Sequence, residues 1–198
     1  MAEIKIDKNG FADSARQIAS PNFDARISGE NFCGDSVNNS ADNGANNLVP
    51  EISMIVIHNI SLPPNQYGGN GVIELFTNTL NPNEHPYYAE IFTRKVSSHF
   101  FIRRDGELIQ FVSCLKRAWH AGVSNWLGRE RCNDFSIGIE LEGSDFEAFE
   151  AAQYAVLQEL IDGLKKTYRI LDIVGHSDIA PGRKTDPGPC FDWLKVKA

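Results

Sequence analysis

The run Ile52-Ser-Met-Ile-Val-Ile-His58 constrains this chain most, because it is a short, nearly unbroken β-branched stretch that stops abruptly in polar residues. A strand of that composition is apolar on both faces and needs cover on both, so it belongs inside a sheet with further layers on each side. It brings His58 and Asn59 to a strand end. A second short apolar strand, Ile170 to Gly175, also ends in a histidine, His176. Between them, Phe135 to Glu142 alternates, with Phe135, Ile137, Ile139 and Leu141 on one face and Ser136, Gly138, Glu140 and Glu142 on the other. Small residues beside carboxylates there leave room for a ligand. Ser97–Arg103 and Glu107–Ser113 flank Arg104-Asp105-Gly106, and Asp-Gly between two strand-like runs signals a hairpin.

Helical spacing joins Val72, Leu75, Phe76, Thr79 and Leu80, and Asn81-Pro82 stops that helix. Ser144-Asp-Phe-Glu147 has a capping-box pattern. It predicts the start of a helix carrying Phe149, Val156, Leu157, Leu160, Ile161, Leu164 and Tyr168 along one stripe, which would cover a sheet face. Strands, a hairpin and interspersed helices predict an α/β or α+β fold, a single domain with a mixed central sheet flanked by helices. Residues 49–198 read as one continuous unit. Residues 1–48 read as an N-terminal extension partly docked on it, whose Asn-rich stretch from Gly34 to Asn47 is too polar to anchor itself and reads as a loop.

The chain has 198 residues and is 42% hydrophobic, enough for one compact domain that buries roughly 70% of its unfolded surface. With 19 Lys plus Arg against 26 Asp plus Glu, the formal charge of −7 argues against nucleic acid as a partner. No stretch approaches the ~18 to 20 apolar residues that cross a bilayer, and the first ten residues lack an apolar signal core. A cytoplasmic protein without a membrane partner is expected. Cys33, Cys114, Cys132 and Cys190 show no Cys-x-x-Cys spacing and read as reduced thiols.

Strand ends hold side chains rigidly toward a cleft, which makes His58 and His176 candidate metal ligands. Asp186 lies ten residues past His176 in a loop restricted by prolines and glycines. Two imidazoles and a carboxylate would make an open zinc site, which keeps a fourth position for water and lowers that water's pKa to about 7. Spacing alone leaves His85, His99, His120 and Cys190 as rival ligands. Amide cleavage also needs a group that moves protons to the leaving amine, and Glu140 is better placed than Glu142 for that work. Lys184 could bring positive charge to a developing oxyanion.

Several longer runs occur in one order: Val56-Ile-His-Asn-Ile-Ser-Leu-Pro-Pro64, Ile102-Arg-Arg-Asp-Gly106, Lys116-Arg-Ala-Trp-His-Ala-Gly122, Gly128-Arg-Glu-Arg-Cys-Asn-Asp-Phe-Ser-Ile-Gly-Ile-Glu-Leu-Glu-Gly143 and Arg183-Lys-Thr-Asp-Pro-Gly-Pro189. From about Ile52 to Trp193 the chain resembles the AmpD-type zinc amidases, which share their fold with peptidoglycan-recognition domains. The resemblance implies a cytoplasmic bacterial enzyme that cleaves the amide between the lactyl group of 1,6-anhydro-N-acetylmuramic acid and L-alanine in muropeptides during cell-wall recycling. It also implies one Zn2+ held by His58, His176 and Asp186, with Glu140 as catalytic carboxylate and Lys184 as the stabilising cation. On this resemblance His99, His120 and Cys190 are disfavoured as ligands, and His120 would line the cleft. Asn59, Tyr87, Lys95, Trp119 and Arg131 fall at positions expected to contact the anhydro-muramyl peptide, and a monomer is expected. AmpD relatives commonly carry Arg where this chain has Lys95, which loses a bidentate grip on a carboxylate. Two other readings have tests. A muropeptide-binding module would bind without cleaving and hold no metal, and a secreted wall-lytic amidase would prefer intact peptidoglycan.

Overall fold

The β-branched run near the start of the central sheet dictates its middle. In the computed structural model, which describes residues 3–26 and 51–196, this run forms β3 (Met54–Ile60), following the short strands β1 (Arg16–Gln17) and β2 (Phe23–Ala25). The two-turn helices α1 (Gly71–Phe76) and α2 (Pro86–Ile91) come next, then the hairpin of β4 (Phe100–Ile102) and β5 (Leu108–Gln110). Three short strands, β6 (Lys116–Ala118), β7 (Asn125–Trp126) and β8 (Arg129–Glu130), precede β9 (Ser136–Glu142). The long helix α3 (Ala151–Thr167) then crosses to β10 (Asp172–Gly175), which runs directly into the single turn α4 (His176–Ile179).

Six of these strands make one mixed sheet in the order β1-β5-β4-β9-β3-β10. β4, β9, β3 and β10 are mutually parallel, β5 returns antiparallel to β4, and β1 joins β5 in parallel. The fold is therefore mixed α/β. Alternation along β3 and β9 sends Ile55, Ile57, Ile137, Ile139 and Leu141 to one face, where α3 covers them with Leu157, Leu160, Ile161 and Leu164. Those four helix residues are fully buried, and each contributes roughly 1.5 to 3 kcal/mol by leaving water. The other face is divided. One end packs Phe101 and Ile109 under α1 and α2, and the other packs Met54, Val56 and Val174 with Phe135 and Ile179.

Several expected boundaries shift. β3 runs on to Ile60, so His58 lies inside the strand, two residues from its end. The helix after Gly71 stops at Phe76, because Asn78 takes a left-handed conformation (φ 62°) that ends the turn before Thr79 and Leu80. The capping box is not at Ser144–Glu147, which closes an isolated bridge. It is formed by Glu150 and Gln153, so Phe149 and Tyr168 flank α3 and lie outside it. Phe135 departs from the alternation. It precedes β9 in a 3-10 turn and packs on the face opposite Ile137. The Asp105-Gly106 hairpin is present, with Gly106 at φ 90°.

The stretch before residue 27 is woven into the sheet. β1 extends its edge, β2 pairs with β6, and Ile4 is buried so close to α3 that a Cβ on Gly163 would collide with its carbonyl oxygen. Arg26 is buried too. It donates from Nε to the Cys114 carbonyl at 3.0 Å, from Nη1 to those of Asn133 and Asp134 at 3.1 Å, and from Nη2 to that of Ser136 at 2.7 Å. The Asn-rich stretch expected to be a loop lies outside the described residues.

Candidate active site

Parallel strands end at a common edge, and side chains near those ends share a cleft. The ladder makes His58 and Glu140 Cα partners, so both project from the sheet face opposite α3. His176 follows β10 as the first residue of α4. Asp186 arrives on the loop after α4, which is fastened at several points. The Ser177 N–H donates to the Asp186 carbonyl at 2.9 Å, and the Asn59 side chain donates to the carbonyl of Pro187 at 3.0 Å and to Asp145 Oδ1 at 2.7 Å. The Pro187 ring lies against Gly175, where an added Cβ would sit 2.7 Å from Cδ.

Three atoms meet where these elements converge. His58 Nδ1 and His176 Nδ1 lie 2.9 Å apart, and each is 3.0 Å from Asp186 Oδ2. Both rings are buried and Asp186 is largely so. His176 Nε2 lies 3.0 Å from the Ala121 carbonyl, which can only accept, so Nε2 carries the proton and Nδ1 offers a lone pair. That lone pair and a carboxylate oxygen at hydrogen-bond distance repel unless a cation lies among them. Tetrahedral zinc at about 2.0 to 2.1 Å from its ligands has ligand–ligand edges of about 3.3 Å, close to this triangle. The donor set therefore fits a divalent cation, and these three residues are the group that could hold one. Burial pushes the His58 ring down to about 4, outweighing the opposing pull of Asp186, so His58 is neutral at pH 7 as a ligand must be.

Glu140 and Lys184 line the same cleft, which has a volume of about 450 Å³. Glu140 is buried, its Oε2 has no hydrogen-bond partner, and burial, with the nearby Asp186 charge, pushes its carboxyl well above the ordinary range. Lys184 acts in the opposite direction on Glu140. A carboxyl held toward neutrality, with one oxygen free in the cleft lined by His58, His176 and Asp186, is chemically suited to taking up and releasing a proton.

The family model for N-acetylmuramoyl-L-alanine amidase matches residues 48–189. The chain belongs to this amidase family. It is 48% identical over 191 residues to the 1,6-anhydro-N-acetylmuramyl-L-alanine amidase AmpD of Citrobacter freundii, covering 96% of this chain and 91% of that protein. A crystal structure of a selenomethionine AmpD derivative superposes with a TM-score of 0.83 at 46% identity, covering 96% of each chain. The AmiD amidase from E. coli, solved with the substrate anhydro-N-acetylmuramic acid-L-Ala-D-gamma-Glu-L-Lys, is 32% identical with a TM-score of 0.56, over 77% of this chain and 59% of that one.

Against this amidase frame, the five residues singled out by the resemblance, His58, Glu140, His176, Lys184 and Asp186, all line one cleft. Asn59, Tyr87 and Trp119 line it as well, although the Asn59 amide is spent on the Pro187 carbonyl of the Asp186 loop and on Asp145. Lys95 is exposed outside the lining, and its neighbour Arg94 is in it. Arg131 pairs with Asp134 at 3.2 Å and borders an adjoining depression that shares Arg183 with the cleft. Of the rival ligands, His85 caps α2, and His99 is enclosed by backbone groups and by Arg26, whose Nη2 lies 3.0 Å from its Nε2. The His99 Nδ1 accepts from the Gly138 N–H at 3.0 Å, and Nε2 faces the Lys116 carbonyl at 3.0 Å. Cys190 lies outside the triad, and Cys114, Cys132 and Cys190 are free thiols.

The room expected above Ser136 and Gly138 is filled by the His120 ring, since a Cβ on Gly138 would lie 2.5 Å from its Cγ. Glu142 does not join the cleft. Its carboxylate accepts from the Gly68 N–H at 2.6 Å and the Arg104 N–H at 3.1 Å, tying a loop to the hairpin. Sequence reasoning missed Asn133, whose Oδ1 accepts the backbone N–H groups of His120 and Ala121 at 3.2 and 2.8 Å. It also missed Arg183, which donates to the Ala121 carbonyl at 2.8 Å. Both lie in the runs that carried the resemblance, and that was the only signal available for them.

Proposed function

We propose that this chain is a zinc-dependent amidase that hydrolyses the amide between the lactyl group of 1,6-anhydro-N-acetylmuramic acid and L-alanine in muropeptides released during cell-wall recycling. The observation that carries this reading is the convergence of His58 Nδ1, His176 Nδ1 and Asp186 Oδ2 at 2.9 to 3.0 Å. In this reading those three residues are the ligands. Zinc held there would supply Lewis acidity and make hydroxide available at neutral pH.

The chain's own groups do the rest. Glu140 takes the proton of the attacking water and delivers it to the departing alanine nitrogen, a task that suits a carboxyl raised toward neutral pH. Lys184, on the rim of the cleft, offsets the negative charge that develops on the lactyl oxygen. Trp119 and Tyr87 offer apolar surface to the sugar and peptide, Asn59 holds the loop that carries Asp186, and Lys95 and Arg131 offer positive charge to stem-peptide carboxylates. Residues 49–198 carry this machinery and residues 1–48 precede it as an extension. The free thiols fit a reducing cytoplasm. No helix among the described residues is long and apolar enough to cross a membrane.

The deciding experiment measures bound zinc and release of peptide from anhydro-muropeptide, before and after chelation, with intact sacculi as competitor. The expected result is one zinc per chain, activity lost on chelation and restored by zinc, and preference for the soluble muropeptide. Asp186→Ala should lose both zinc and activity. Binding without cleavage by a metal-free protein, or preference for sacculi, would overturn the reading.

A further inference from the structure

One buried histidine of the cleft has no role in the chemistry above. His120 Nδ1 lies 3.0 Å from His58 Nε2, and His120 Nε2 lies 3.2 Å from the Ser136 hydroxyl, which is itself 2.6 Å from the Cys132 carbonyl. The chain of contacts has a direction, and the carbonyl sets it. A carbonyl only accepts, so the Ser136 hydroxyl must donate to Cys132. The Ser136 oxygen then accepts from His120 Nε2–H. A neutral His120 with its proton on Nε2 has a bare Nδ1, which can only accept from His58 Nε2–H. His58 is thereby left with its lone pair on Nδ1, the nitrogen that faces His176 and Asp186.

We propose that His120 is a positioning residue for the metal centre, fixing the His58 tautomer and ring orientation through a relay that starts at the Cys132 carbonyl. The relay is rigid at every step. Asn133 pins the His120 backbone, Gly138 is the only residue type that leaves space for the ring, and the His58 and His120 rings meet edge to face at 85°. The opposite tautomer of His58 would point an N–H into the triad, where it would block a cation. Partners of this kind, which hold a ligand from behind, typically change metal affinity by about 10- to 100-fold.

This inference rests on the zinc reading, and its test separates the two. Zinc affinity is measured by competition with a chromophoric chelator for the wild type, His120→Leu, His120→Gln and Ser136→Ala. The imidazole 15N spectrum of the zinc-loaded wild type reports the tautomers directly. The expected result is Nε2–H on both His58 and His120, zinc binding weakened about 10- to 100-fold in His120→Leu, and near wild-type binding in His120→Gln. The Gln amide can still accept from His58 and donate to Ser136. Ser136→Ala should fall between. A proton on His120 Nδ1, or equal zinc affinity in His120→Leu and wild type, would overturn the role of His120 alone. A wild-type chain that takes up no zinc would instead overturn the reading it rests on. If His120→Leu does not fold, the wild-type spectrum and the Gln and Ser136 variants still decide.

Discussion

His58 and Glu140 are Cα partners on adjacent parallel strands, β3 and β9, so one backbone ladder sets the spacing between a candidate ligand and the free carboxyl beside it. No loop motion intervenes between them. Replacing Glu140 by Gln changes neither strand and keeps the side-chain volume. The Glu140→Gln protein should retain its zinc while kcat on anhydro-muropeptide falls by about 10² to 10⁴, the range for lost general acid–base help. Metal analysis beside single-turnover kinetics checks both halves, and unchanged turnover would remove Glu140 from the chemistry.

Gly138 sits under the His120 ring with no space for a methyl group. Gly138→Ala should cost about 1 to 3 kcal/mol, as overpacking of a tight core does, measured by urea unfolding. It should also weaken zinc binding, because the only relief is to move a ring that contacts His58. A stable variant with intact zinc affinity would mean that the backbone there yields more readily than the buried strand implies.

Acid should unfold the metal-free protein through its buried imidazoles. Burial lowers His58 to about 4 and His99 to about 3, and holds His120 well below its ordinary value. Because the folded state binds these protons less readily than the unfolded chain, stability is full above pH ~6.5 and is lost as pH falls toward the folded values. The slope is the sum of these three contributions less an opposing one from Glu140, whose raised carboxyl takes up a proton on folding. His99→Gln should make it shallower by about 1.4 kcal/mol per pH unit, as read from urea midpoints in chelator-containing buffers. An identical slope would show that His99 takes up its proton without unfolding.

Arg26 is a buried guanidinium that donates to four main-chain carbonyls in two stretches of chain, at Cys114 and from Asn133 to Ser136. Arg26→Met keeps much of the apolar stem and leaves those carbonyls unmatched. The expected loss is about 3 to 4 kcal/mol of unfolding free energy, near the top of the range for single substitutions. A loss under about 1 kcal/mol would mean that water replaces the guanidinium.

The strands were legible because their apolar runs had nowhere else to go. Ile55 to Ile57 needed cover on two faces, and Ile137, Ile139 and Leu141 needed it on one. What failed was local competition at the ends. Ser144 resembled a cap in sequence, but its hydroxyl accepts the Phe146 N–H at 3.3 Å within a turn, and the helix waits for Glu150 and Gln153. His58, His176 and Asp186 could be proposed from strand ends and a stiff loop, yet their convergence depends on contacts 118 and 128 residues apart in the chain. No periodicity encodes such distances. Arg26 gave no signal at all, being one of two arginines, with Arg16, scattered among polar and apolar residues.

The family match starts at residue 48, whereas β1, the Ile4 niche against α3 and the Arg26 bonds all belong to residues 3–26. Anyone trimming a gene to the matched boundaries would therefore discard a wall of the building. The shortened product would present β5 as a raw sheet margin, prone to sticking to its own kind. A minimal working version for screening or crystallisation should keep the first 26 residues.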